Sequence, residues 1–367
     1  MKARAAIYLI LVSLVSGGAA ARAPGLELHF DYGGAEAILS ALDGDGTRSA
    51  DVLDVRGVRA MVLNAKHYVP SADEKALVTA LSHPRSLDRT ADRQDPLGLG
   101  AVFQHRSAVR ALLAALKANE ARLTSLALDR LSRYSPADSA ASLTVYFIAG
   151  GLSDGFYTVD GRADTFSNPD YGNAIFLRVD SATTSDLDGI QLNLTHELFH
   201  VVQGISRRAD PHLQRMKVAG SPVHRLLATT LDEGTANLVA DASLTPGSGP
   251  YFEMWKRRFS RNANPDVLTA DFALFDALVS ALGADAISWN DVSLIGFSTA
   301  YEAPLYFVGY HVAQVMERQG GAERIAKSLR RNPADVFLDY ARGCNATPSA
   351  CTHTFSASTV RYLESKR

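Results

Sequence analysis

Apolar positions recur at helical spacing over most of the chain and at strand spacing in one short stretch. Ala35, Ile38, Leu39 and Leu42 share a face in residues 31–42, and residues 52–65 and 73–81 repeat the pattern. A polar stretch with two prolines follows at 83–100 and reads as a long surface loop. Residues 107–119 and 120–134 are amphipathic and helical in period. The pattern then changes. Residues 142–149 (SLTVYFIA), 156–159 and 174–179 are short and rich in β-branched and aromatic residues. Turn signals at Gly150-Gly151, Asp160-Gly161 and Asn168-Pro169 separate them. From residue 185 onward the pattern is mostly helical again. Helices, a few strands, then more helices make an α+β layout, predominantly helical with a small β-sheet before residue 185.

The helix predicted over 184–205 contains the chemistry. Ser185 or Asp186 would cap its start, and Gly204 falls near its end. Leu194, Leu198, Val201, Val202 and Ile205 make its sides apolar, whereas His196, His200 and Gln203 form a polar stripe. A polar stripe on an apolar helix is costly unless something satisfies it, and a metal ion would. His196-Glu197-x-x-His200 has the spacing for this. Two histidines four apart lie one turn apart on one face and can grip one Zn²⁺. Glu197 then sits beside the activated water as general base.

Zinc needs a third protein ligand. The metzincin arrangement fails, because Gln203 and Ser206 stand where it requires Gly and His. Glu233, in the next helical segment at 226–242, is the better candidate, with Asp232 as its rival. Asn237 follows Glu233 by one turn and can orient a ligand from behind, as can Gln203.

These residues resemble the gluzincin group of zinc peptidases, in particular exported bacterial families of undefined function. The likeness rests on His196-Glu197-x-x-His200, on Asp232-Glu233-Gly234-x-Ala236, and on Tyr306, Gly309 and Tyr310 after Pro304. The segment from Asp31 to Glu36 is also similar. The resemblance implies a zincin-like fold and hydrolysis of peptide bonds. It implies ligation of Zn²⁺ by His196, His200 and Glu233, with Glu197 as the catalytic base. Tyr306 or Tyr310, and more weakly His311, would donate to the oxyanion. The strand at 174–179 would be the sheet edge along which a peptide or protein substrate pairs. The interval to Glu233 is longer than in thermolysin-like enzymes, and no Gly-x-Met-Glu-Asn exopeptidase sequence is present. Other readings of the same motif are a zinc hydrolase of a non-peptide amide such as cell-wall material, and a non-catalytic envelope binding protein on this scaffold.

Composition narrows the setting. The chain has 367 residues, 47% hydrophobic and 21% charged, with formal net charge −2. No basic tract is present, so a nucleic-acid partner is not expected. Lys2, Arg4, an apolar run over 5–15 and Ala19-Ala20-Ala21 read as a signal peptide over residues 1–21. Export to the periplasm or outside the cell follows, with no stable membrane insertion after its removal. The remaining chain divides into an N-terminal helical region (22–140) and a catalytic region (141–367). Cys344 and Cys351, close in a Pro-containing loop, are expected to pair. The Asn193 and Asn345 N-x-T sequences are read as chance.

Overall fold

The computed structural model describes residues 25–44, 49–89, 95–180, 186–209, 221–347 and 351–365. The expected signal peptide lies outside the described residues. The chain begins with β1 (Gly25–Asp31). There follow α1 (Gly33–Asp43), α2 (Arg56–Tyr68), α3 (Glu74–Ser82), α4 (Leu99–Ala118) and α5 (Glu120–Tyr134). The sheet continues with β2 (Ala140–Ile148), β3 (Gly155–Thr158) and β4 (Ala174–Arg178). Then come α6 (Leu187–Arg208), α7 (Pro222–Val239), α8 (Pro250–Asn262), α9 (Pro265–Gly283) and the short α10 (Trp289–Val292). The last helices are α11 (Pro304–Ser328), α12 (Pro333–Ala346) and α13 (Ala357–Glu364). The class is α+β, mostly helical with a small four-stranded sheet.

The strands lie in the order β1-β2-β4-β3. β1, β2 and β4 are parallel, and β3 runs antiparallel to β4 at the edge. β2 is central, which explains why its second half, Val145 to Ile148, is buried throughout rather than alternating. Three findings differ from the sequence reading. β1 was not expected, and it brings the chain's first described residues into the same sheet as β2 (Leu28 opposite Leu143). The segment 83–100 is not wholly a loop. Residues 84–89 form a 3₁₀ turn, and α4 starts at Leu99, where the Asp95 carboxylate accepts from the Leu99 and Gly100 amides. Finally, β4 is an interior strand, and the edge on its side of the sheet is β3, with β1 at the other edge.

Among the described residues the main hydrophobic core runs from Leu26 through α1, the sheet and α6 to Leu363, and a smaller cluster gathers Leu192, Phe252, Phe259 and Phe307. Cys344 and Cys351 are joined, closing the loop after α12. A bridge of this span stabilises by about 2–3 kcal/mol, mainly through the unfolded chain. Among the described residues no helix is long and apolar enough to cross a membrane.

His311 on α11 is buried against Phe272, Tyr340 and His353, and its Nε2 has no partner among the described residues. Burial pushes its imidazole down to about 4, and the nearby His353 and Arg318 add to the shift. The unfolded chain binds this proton near pH 6.5, the folded chain only near pH 4. The stabilising contribution is therefore complete above about pH 6.5 and is lost as pH falls toward 4, by at most about 3 kcal/mol. Denaturant titrations at several pH values are expected to show this slope in the wild type and a flatter one in His311→Leu.

Candidate metal centre

Helix α6 is a core helix. Between Gly189 and Gln203, every residue but His196 is buried. Asp186 caps it through the Gly189 amide and also accepts from the Tyr251 amide, tying the starts of α6 and α8 together. Ser185, the other cap named from the sequence, lies outside the described residues. With the helix fixed, His196 and His200 point into one gap between α6 and α7. There the His196 and His200 Nε2 atoms lie 3.0 Å apart, and each lies 3.2 Å from Glu233 Oε2.

This triangle is what a zinc ion needs. Zn–N and Zn–O bonds of about 2.0–2.1 Å in tetrahedral array put ligand atoms about 3.3–3.4 Å apart. The donor set, two imidazoles and a carboxylate, is one zinc takes. Among the described residues this is the one group of three such side chains with converging donor atoms.

The partners behind the donors set their orientation. The Gln203 amide nitrogen donates to the Asp232 carbonyl (2.9 Å) and to Thr235 Oγ1 (2.8 Å). Its oxygen is therefore left to accept, and His200 Nδ1 donates to it at 2.7 Å. That fixes a His200 proton on Nδ1 and leaves Nε2, facing Glu233, as the atom available to a metal. Asn237, buried one turn after Glu233, lies near enough to His196 to affect its imidazole. Asp232 is not a ligand: it forms a two-bond ion pair with Arg207, locking α7 to α6.

Glycines let the helices close on this site. Gly234 on α7 and Gly309 on α11 face each other, and a Cβ on either would overlap the other helix's backbone. The helices thus touch at the turn carrying Glu233, and Tyr306, one turn before Gly309, lands beside it. Its ring stacks on His196 (centroids 6.3 Å apart), and its hydroxyl lies close enough to Glu233 to feel the carboxylate's charge. Tyr310 is placed elsewhere. Its hydroxyl donates to Asp241, and its ring packs on Phe259 and Phe307. The proton that an oxyanion donor would offer is already committed. His311 lies in the packing described above, among Phe272, Tyr340 and His353.

Glu197 is 7% exposed and packs against the edge strand. A Cβ on Gly155 would lie 2.6 Å from its Oε1, so glycine at this point of β3 lets the Glu197 side chain keep this position. Two further residues were not foreseen, one at the site and one that steadies the strand beside it. Tyr157 stacks on His200 at 5.0 Å. It is two residues after Gly155, on the same face of β3, which the alternation of a strand predicts once the strand's place is known. Asn64, buried on α2, accepts from Ser153 and donates to Thr165, holding the segments before and after β3. Asn193, of the N-x-T sequence, is buried and donates to the Asp154 carbonyl, so a glycan there has no room.

Electrostatics follow from burial and the shared carboxylate. Burial opposes a charge on Glu233, but the two imidazoles outweigh it and hold its carboxyl well below the usual range. Burial also works against a charged His200, yet Glu233 prevails and lifts it to about 9. At His196 burial wins and lowers the imidazole. Burial pushes Glu197 up to about 8, with Glu233 and Asp154 adding and His200 opposing. Burial and the nearby carboxylates keep the Tyr306 hydroxyl protonated, hence a donor.

Two imidazoles and a carboxylate converge here, beside a buried carboxyl, as a group that could hold a metal ion. Residues 51–349 match the family described as "Putative zinc dependent peptidase (DUF5700)", and the chain belongs to that family. No curated protein and no solved structure matches the chain.

Proposed function

We propose that the protein is a zinc-dependent metallopeptidase of the gluzincin kind, acting outside the cytoplasm. The observation that carries this is the convergence of His196, His200 and Glu233 on one point, with Glu197 on the same helix turn against the edge strand. Zinc held there supplies Lewis-acid activation of water and of the scissile carbonyl. Glu197 takes the proton from the attacking water and delivers it to the leaving amine. Its buried setting raises its proton affinity, which suits a group that must both take and release a proton. Tyr306, protonated and beside Glu233, is the donor placed to steady the oxyanion. The substrate backbone pairs with β3, the strand at the sheet edge, and not with β4. Gly155 and Tyr157 on that strand keep Glu197 and His200 in place beneath it. The n-region, apolar run and A-x-A sequence of residues 1–21 support export, and the Cys344–Cys351 bridge supports an oxidising compartment.

The test is cleavage of a mixed peptide library by the zinc-loaded protein, with products read by mass spectrometry. Peptide-bond cleavage that stops on chelation and returns with zinc is expected. A zinc-loaded protein that cuts no peptide, but cuts a non-peptide amide, would replace this reading.

A further inference from the structure

An unbroken line of aromatic contacts leads outward from the metal ligands. His196 stacks with Tyr306, Tyr306 meets Phe297 at 6.1 Å, and Phe297 meets Trp289 at 6.0 Å. The Arg225 guanidinium lies 4.2 Å over the Trp289 ring. The fully buried core aromatics, such as Phe275 and Phe337, have almost no exposed surface. Tyr306, Phe297 and Trp289 are only half-buried, and Arg225 is exposed. Among the described residues no carboxylate pairs with Arg225.

We propose that this wall is a substrate subsite, which takes an apolar peptide segment and, beyond it, a carboxylate held by Arg225. The proposal rests on the peptidase reading and names the substrate class for it. Half-exposed aromatic rings next to a catalytic centre offer stacking and apolar area to side chains that leave water on binding. Trp289 holds the guanidinium flat and limits its freedom, leaving its fork of donors ready for a planar carboxylate. The spacing fixes the register. Arg225 and Glu233 are two turns apart on α7, about 12 Å at 1.5 Å per residue. An extended peptide covers that distance in about three to four residues. The recognised carboxylate therefore sits three or four residues from the cleaved bond, on an Asp or Glu side chain.

The test uses the zinc-loaded full chain carrying Glu197→Gln, which holds a substrate without cutting it. It is titrated with labelled short peptides of Ala, Leu and Phe. One Glu is moved along the peptide, and each peptide is paired with its Gln counterpart. Binding is read by fluorescence anisotropy. One Glu position is expected to bind about tenfold more tightly than its Gln partner, the worth of a charge-assisted hydrogen bond. Arg225→Gln should erase that preference and leave the Gln peptides unchanged, whereas Trp289→Ala should weaken both. Equal binding of every pair, no binding at all, or a preference that survives Arg225→Gln overturns the subsite. Wild-type cleavage of the same peptides is scored separately. A Glu preference without cleavage keeps the subsite and removes the peptidase reading, and cleavage without a preference does the reverse.

Discussion

Replacing Glu197 by glutamine is expected to leave zinc bound and to lower kcat by about a hundredfold to ten-thousandfold, the usual worth of a general base. The amide has the carboxylate's shape, so it fits the space that Gly155 leaves. The contacts among His196, His200 and Glu233 do not involve it. What disappears is a site for the water's proton. Burial makes the change mild for folding, because Glu197 resists ionisation in this setting. Zinc per chain and initial rates on the same peptides decide the matter. A variant with bound zinc and an undiminished rate would remove Glu197 from the mechanism.

The second large effect belongs to the helix crossing. Alanine at Gly309 is expected to destabilise the fold by about 3 kcal/mol or more, the upper range for forcing atoms into a packed interior. Its Cβ would overlap the Thr230 carbonyl, and Gly234 is equally closed by the Gly309 backbone. Main chain cannot swing aside as a side chain can, so α7 and α11 must separate. Glu233 and Tyr306 sit at that contact, hence zinc affinity is expected to fall along with the melting temperature. Thermal unfolding and zinc titration of Gly309→Ala and Gly234→Ala check both effects. Wild-type melting temperature and affinity in either variant would show that the crossing does not position the site.

Local spacing made part of this legible. His196 and His200 could be paired from the sequence because four residues is one helix turn. The Asp186 cap, the Cys344–Cys351 pairing and the three strands at 142–179 were similarly local. Other features depend on contacts distant in the chain. β1 left a trace, the alternation of Leu26, Leu28 and Phe30 with Glu27 and His29, but its meaning depends on pairing with β2, more than a hundred residues away. Nothing local distinguishes β3 from β4 as the edge strand, because that is a matter of strand order. Tyr306 and Tyr310 are one turn apart and look alike in sequence. They separate only when Asp241 captures the Tyr310 hydroxyl and the Tyr306 ring stacks on His196. Asp232 and Glu233 are adjacent acids, and Arg207 on another helix decides between them. Gly234 and Gly309 show as unremarkable helix glycines until the two helices are brought together.

The central claim is that His196, His200 and Glu233 together hold one zinc ion. Zinc titration of the Glu233→Ala protein, against the wild type and with folding checked by circular dichroism, tests it most directly. One tightly bound zinc per wild-type chain is expected, with affinity falling by orders of magnitude in the variant. A folded Glu233→Ala protein that binds zinc as tightly as the wild type would contradict the claim.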